Sequence, residues 1–301
     1  MPTDAAQPKT PDAFYQETLS RLLREGVMSP TDNVLAACGG PFDAHVLQMT
    51  GFTHVTISNL DVRLKDDEFA PFAWSFQDTE QLTFSDGTFD WALVHNGLHH
   101  CVCPQRAILE LYRVAQKGIV LFEPYDNWLT RLGVWLGFGQ EYEHAAVYYN
   151  DMKFGGVRNS PIPNYVYRIT RREIKKTILC GRPEIRAKFR FFHRMRLPWG
   201  QLEKRRNPFY YAAVRIGEPL LNLISRMLPG QSNCFAAVVQ KPRLTEGLHP
   251  WLTLDADGKI VPNAKWLERR YQSLPPVTPE VGRPRAPRTL TQAADETPAR
   301  E

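Results

Sequence analysis

Residues 34–61, VLAACGGPFDAHVLQMTGFTHVTISNLD, decide the fold. Val34–Cys38 is a short apolar run that ends in Gly39, Gly40 and Pro41, as a buried strand entering a turn does. Asp43–Thr50 then reads as a helix closed by Gly51, and Val55–Ser58 as a second strand running out into polar Asn59 and Asp61. A strand, a glycine turn and a helix N-terminus in succession offer backbone N–H groups to an anionic part of a small molecule. A cofactor site is the leading functional reading.

The same alternation continues downstream. Ala73–Gln77 reads as a third strand, Trp91–His95 as a fourth after the turn Ser85-Asp86-Gly87, and Gly118–Glu123 as a fifth, with a helix over Gln105–Val114. Strand and helix alternate from 34 to 123, which predicts a doubly wound α/β sheet, mostly parallel, with ligands at the carboxyl ends of the strands. Ahead of it, residues 12–26 space Phe14, Leu19, Leu22 and Leu23 on one helical face. Behind it, Glu141–Tyr167 is rich in Tyr, Asn, Gly and Pro and reads as a long ordered loop or lid. Thr170 and Glu173 form a capping-box pattern at the head of a helix to Leu179. Two late strands, Ile185–Phe192 and Cys234–Gln240, bracket a helix at about 209–228 and are expected to close the sheet as an antiparallel edge. The expected organisation is an N-terminal helix over 1–29, a main domain over 30–241 with a lid at 139–170, and an extension over 242–301, disordered from about 274.

Composition is that of a globular protein, with 43% hydrophobic and 23% charged residues, and no run approaches the roughly 18 apolar residues of a membrane span. The polar, proline-bearing start lacks a secretory pattern, so a cytoplasmic protein is expected. Five scattered cysteines fit a reducing compartment. Cys101 and Cys103 lie beside His99 and His100, yet alternate residues on a turn need further ligands to complete four-fold coordination, so no metal is expected. The net charge of +5 hides an asymmetry: −10 over residues 1–150 and +13 over 151–215. The basic middle suits an anionic substrate, a nucleic acid or a membrane surface, or is a solvated face. Trp128–Phe138 and Leu220–Leu228 are unusually apolar; core burial is the expected fate, with peripheral membrane contact as the alternative.

Three segments in this order, VLAACGGPF at 34–42, FQDTEQLTFSDGTFDWALVHNGLHH at 76–100 and GIVLFEP at 118–124, resemble class I S-adenosylmethionine-dependent methyltransferases of the kind that act on metabolites, lipids or glycans. The resemblance implies a Rossmann-like, seven-stranded sheet and S-adenosylmethionine as cofactor. It departs from the family at the first turn, where Ala36 replaces an acidic residue, Cys38 the first glycine and Phe42 the third.

By the resemblance, Cys38, Gly39 and Gly40 face the amino-acid end of the cofactor, Asn59 and Asp61 its ribose, Gln77 and Asp78 its adenine, and the His95 backbone its methionine part. His99 and His100, just past the fourth strand, are the candidate bases for a hydroxyl acceptor, with Glu123 a weaker one. Tyr148, Tyr149, Asn150, Asp151 and Arg158 are candidates for the acceptor pocket, and Arg158, Arg168, Arg171 and Arg172 for holding an anionic acceptor. The expected reaction is methyl transfer to a small-molecule or glycan acceptor, at oxygen. Two alternatives stand beside it. RNA methylation would use the basic middle with Phe189, Phe191, Phe192, Phe209, Tyr210 and Tyr211, although the chain shows no recognition module. A non-catalytic binding subunit would follow if the altered turn had lost the cofactor. The acceptor and the oligomeric state are not readable from the sequence.

Overall fold

The computed structural model describes residues 12–197 and 208–272. The expected disorder beyond 274 and the side chain of Tyr210 lie outside the described residues. The chain divides between His249 and Pro250 into two units.

In the larger unit seven strands form one sheet. They are β1 (Asn33–Ala37), β2 (His54–Asn59), β3 (Ala73–Phe76), β4 (Phe89–His95), β5 (Ala115–Pro124), β6 (Lys188–Arg194) and β7 (Cys234–Gln240), in the order β3-β2-β1-β4-β5-β7-β6. The first five are parallel, and β7 runs antiparallel to both neighbours, as the sequence reading expected of the late strands. Strand side chains alternate in direction, so each strand feeds two cores. Val34, Ala36, Ile57, Leu93 and Val120 pack on one face under α1 (Asp12–Arg24) and α2 (Pro41–Thr50), which contribute Tyr15, Leu19, Leu22, Val46 and Leu47. Leu35, Ala37, Ala92, Val94, Ile119 and Leu121 pack on the other face with Ala107, Ile108 and Leu111 of α3 (Pro104–Val114) and Ile174 and Ile178 of α4 (Arg171–Gly181). Covering both faces explains why the strands are apolar throughout instead of alternating. Thr170 caps α4 through a completed capping box with Glu173.

Two sequence expectations change here. The stretch Trp128–Trp135 is a helix, as is Pro208–Met227, but neither is swallowed by the core: Trp128, Leu132 and Trp135 on the first, and Phe209, Ile216, Leu220, Leu223 and Met227 on the second, are exposed. Their apolar composition marks a surface. The arginines of β6 are not a free basic stripe either, because Arg190 pairs with Glu25 and Arg194 with Glu17, both on or next to α1. The acidic front of the chain thus neutralises part of its basic middle. In the smaller unit, Leu252–Leu254 and Ile260–Pro262 form a hairpin, followed by a helix over Ala264–Tyr271 capped by the Asn263 side chain. Three-residue strands are too short for periodicity to reveal.

Candidate active site

β1 and β4 are neighbours, and the strand order reverses between them, so a crevice opens beyond their carboxyl ends. Both strands leave the sheet through a left-handed residue, Cys38 (φ 53) after β1 and Asn96 (φ 51) after β4. The two turns touch: a Cβ on Gly97 would lie 2.4 Å from the Cβ of Cys38, so position 97 admits only glycine without a shift of the turn. Replacing the family's first glycine by Cys38 therefore still leaves the turn in the left-handed conformation, with its side chain seated against Gly97 and its Sγ 3.2 Å from Thr79 Oγ1.

The cleft above these turns has a volume of about 250 Å³. Cys38, Asn59, Asp61, Gln77, Asp78 and His100 line it, together with Arg63, Thr79, Glu80, Asn96, Gly97, Cys101, Asn150, Gly155, Gly156, Arg158 and Asn159. Six of the ten residues expected at the site thus meet in one hollow. Gly39, Gly40, His95 and His99 stand outside its lining. A Cβ on Gly39 would press on Ala36 O (3.0 Å) and Ile57 Cγ2 (3.1 Å), whereas one on Gly40 would meet nothing within 4 Å, so the backbone is open at Gly40. The Gly40 N–H is itself engaged, donating to Asp43 Oδ2 at 3.0 Å. His95 lies outside the lining of the cleft, its ring clustered with Tyr15 (4.5 Å) and Phe42 (5.4 Å), where burial presses its pKa down to about 4.

The polar groups of the wall are largely preset. Asn59 ties the tips of β1 and β2 together, donating to Gly39 O (2.9 Å) and accepting from Asp61 N (3.2 Å), so its amide is spent on backbone. Gln77 is held by Ser75 and Thr83. Asp61 pairs with Arg63, whose guanidinium holds that carboxyl below its usual range, and Arg63 also donates to Asn150 Oδ1 at 3.0 Å. Asp78 pairs with Arg158. Of the four arginines singled out for an anionic acceptor, Arg158 alone lines the cleft, while Arg168 donates to Gln140 O and Arg171 to the Tyr125 hydroxyl. Tyr148 and Tyr149 are exposed beside it.

At the β4–β5 end stands a cluster of two histidines and two glutamates. Glu123, fully buried near the end of β5, accepts from Gly97 N (2.9 Å) and Leu98 N (2.8 Å) through Oε1, and faces His99 Nδ1 at 2.9 Å through Oε2. Its lone pairs are thus used in holding the turn after β4, which removes it as a free base. Glu143, ahead of a short helix over His144–Tyr148, brings Oε2 to 3.4 Å from His99 Nε2 and 3.3 Å from His100 Nε2. Burial opposes charge on His99, but its two carboxylate partners outweigh burial and raise its pKa to about 10. His99 therefore has no free nitrogen for a substrate proton. His100, at the cleft, has its pKa lowered by burial and by the charge on His99. Glu143, which burial alone would push up, is brought down to about 2 by His99. The sequence reading missed Glu143 and Arg63; neither sits in a motif, and no local signal marks them.

The wall of the cleft carries carboxylates at Asp61 and Asp78, which can accept from hydroxyl and amino donors. Residues 36–122 match the family described as a methyltransferase domain. No curated protein matches the chain. Among solved structures, magnesium protoporphyrin IX methyltransferase from Synechocystis, with bound SAH, is 12% identical over 77% of this chain and 83% of that one, at a TM-score of 0.46. A SAM-dependent methyltransferase from Archaeoglobus fulgidus is 13% identical over 75% and 94%, at 0.43, and one from Methanosarcina mazei 14% over 73% and 96%, at 0.42. The domain match falls on β1 to β5, the strands that build the cleft, so this stretch of the chain is similar to a methyltransferase domain, whose cofactor is S-adenosylmethionine.

Proposed function

We propose that the enzyme methylates an oxygen of a small-molecule or glycan acceptor, with His100 as the base. The observation that carries this reading is the environment of His100. Its ring is kept neutral by burial and by the neighbouring positive His99, and it lines the cleft, with Nε2 beside the Glu143 carboxylate that would take up the charge of its protonated form. Bound S-adenosylmethionine supplies a methyl group already activated on sulfur. The protein's share is alignment and, for a hydroxyl, proton removal. On this reading Asp61 holds the ribose hydroxyls, Asp78 with Gln77 the adenine, and the backbone at Cys38, Gly39 and Gly40 the amino-acid end; Asn59 and the His95 backbone support the wall. His99 positions its neighbour: fixed by Glu123, it holds Glu143 where that carboxylate stabilises the imidazolium formed on His100.

The test begins with calorimetric titration of S-adenosylmethionine into the full chain. Transfer of labelled methyl is then followed in a panel of glycans, small alcohols, carboxylates and RNA. Base-stable label in a hydroxyl-bearing acceptor is the expected result. Label confined to RNA, or cofactor binding with transfer to no hydroxyl, defeats the oxygen assignment; an absence of heat at high protein concentration favours the binding-subunit alternative.

A second observation concerns where the acceptor is met. The exposed apolar side chains of Trp128–Trp135 and Pro208–Met227 lie on two helices that both pack on the turn Pro229–Gln231, in a chain whose middle is strongly basic. Tryptophan with aliphatic side chains beside cationic groups suits an anionic bilayer surface. No described helix is long and apolar enough to cross a membrane, so the contact is peripheral. Co-sedimentation with anionic vesicles, weakened by Trp135→Ser and Ile216→Ser, supports it; equal pelleting with and without vesicles, or a concentration-dependent dimer lost in the same variants, replaces the bilayer by self-association.

A further inference from the structure

We infer that His99, His100 and Glu143 form a binding site for a divalent transition-metal ion at the acceptor end of the cleft. The three ligand atoms all lie within 4.8 Å of one another. Both imidazoles are aimed by their far nitrogens: His99 Nδ1 is 2.9 Å from Glu123 Oε2, and His100 Nδ1 is 3.4 Å from Gly156 O. Each acceptor favours the proton on Nδ1 and leaves the Nε2 lone pair pointing inward. Both Nε2 atoms face the same carboxylate oxygen, Glu143 Oε2. Without an ion a proton on His99 Nε2 meets Glu143 Oε2; a divalent ion would take that proton's place among the three ligand atoms.

The distances are also compatible with a bound ion. A direct N–H···O bond has a heavy-atom separation of about 2.7–3.2 Å, whereas the two contacts to Glu143 Oε2 measure 3.4 and 3.3 Å. Ligands placed about 2.0–2.1 Å from a tetrahedral ion stand roughly 3.3–3.4 Å apart. Two edges of the ligand triangle thus match a coordination polyhedron, and the third is at most 4.8 Å. Charge agrees: Glu123 and Glu143 bring two negative charges, a proton on His99 returns one, and a divalent ion returns both. Two imidazoles and one carboxylate, with a remaining face toward the cleft through His100, are the ligand set of an open transition-metal site and ill-suited to magnesium. Glu123 on His99 supplies the outer carboxylate such histidines have. Local spacing cannot show this site because its third ligand comes from the 141–167 insertion.

The inference deepens the oxygen-acceptor reading and rests on it for the site's role: with an ion bound, His100 is a ligand and the ion, in place of His100 as base, would hold and acidify the acceptor oxygen; the binding itself does not depend on that reading. The test uses the full chain freed of metal with a chelator that is then dialysed away. Cobalt(II) is titrated in while its visible d–d bands are followed, and zinc(II) is used to compete. One cobalt per chain, displaced by zinc, is expected, with affinity falling about 100-fold or more in His100→Ala and Glu143→Gln, and about 10- to 100-fold in Glu123→Gln. Circular dichroism checks that each variant is folded. The exposed Cys180→Ser is expected to leave the titration unchanged. No cobalt bands in the wild-type chain, or bands that survive both His100→Ala and Glu143→Gln, overturn the site. Calorimetry with S-adenosylmethionine on the same samples reports the cofactor separately, so loss of one function is not mistaken for loss of the other.

Discussion

The two walls of the cleft differ in how they are held. The strand-tip wall, from Cys38 to Asn96, is fixed by buried backbone: Asn59 bridges β1 and β2, Gly97 seats on Cys38, and the sheet beneath is covered on both faces. The facing wall, from the 141–167 insertion, is held to it mainly through charge: Arg158 on Asp78, Asn150 on Arg63, Glu143 on the histidine pair. Packing sets a shape that survives changes of salt and side chain, while exposed ion pairs contribute little and rearrange easily. The first wall keeps its shape, and the second is open to rearrangement.

That contrast breaks most visibly at His100. His100→Ala is expected to lower the methyl-transfer rate by about 10²- to 10⁴-fold while leaving the affinity for S-adenosylmethionine within a few-fold; a matching loss of cofactor affinity, seen calorimetrically, would merge the two walls into one function. Next in size, Asp78→Asn is expected to weaken cofactor binding by about 10- to 100-fold, because a charged acceptor for an amino group is worth roughly 1.5–3 kcal/mol. Unchanged affinity would remove Asp78 from the site.

A pH experiment sharpens the packed side. Asp43, buried behind the turn, has its carboxyl raised to about 6, burial outweighing the Gly40 N–H it accepts. The folded value lies above the unfolded one, so its contribution to stability is fully present below about pH 4 and is lost as the pH rises through 6. Asp43→Asn keeps an oxygen for Gly40 without the charge, and its stability relative to wild type is expected to grow across that window by roughly 1–2 kcal/mol. Urea denaturation at pH 4, 5, 6 and 7 reads the difference directly, and a flat difference would show that the carboxyl is not raised. The smallest effect belongs to the charged wall: Arg158→Ala frees Asp78 and is expected to tighten cofactor binding by no more than about five-fold, as befits a half-exposed pair. Weaker binding would instead make Arg158 a cofactor contact.

Much of the packed wall is legible along the chain, because its elements carry local signals. Val34–Cys38 followed by Gly39-Gly40-Pro41 announces a strand and a turn, and the Thr170–Glu173 capping box announces a helix. The charged wall is not legible. Glu143 and Arg63 sit in irregular segments whose side chains have no period, and their partners lie on other elements. Trp135 and Ile216 show the complementary failure, since apolar composition predicts burial but not whether a neighbour exists to provide it.

What residues 34–123 determined by themselves is the strand-and-helix succession and with it a crevice at the β1/β4 reversal, because backbone propensity and hydrophobic pattern act over a few residues at a time. Only the tertiary structure decided that His99 is locked between two carboxylates, that His100 faces the cleft, and that Arg63 and Arg158 cover the aspartates expected to meet the cofactor. Those facts depend on side chains from distant parts of the chain meeting at distances of 2.9 to 3.4 Å in the histidine cluster, and electrostatic interactions at that range depend on position in space instead of order in sequence.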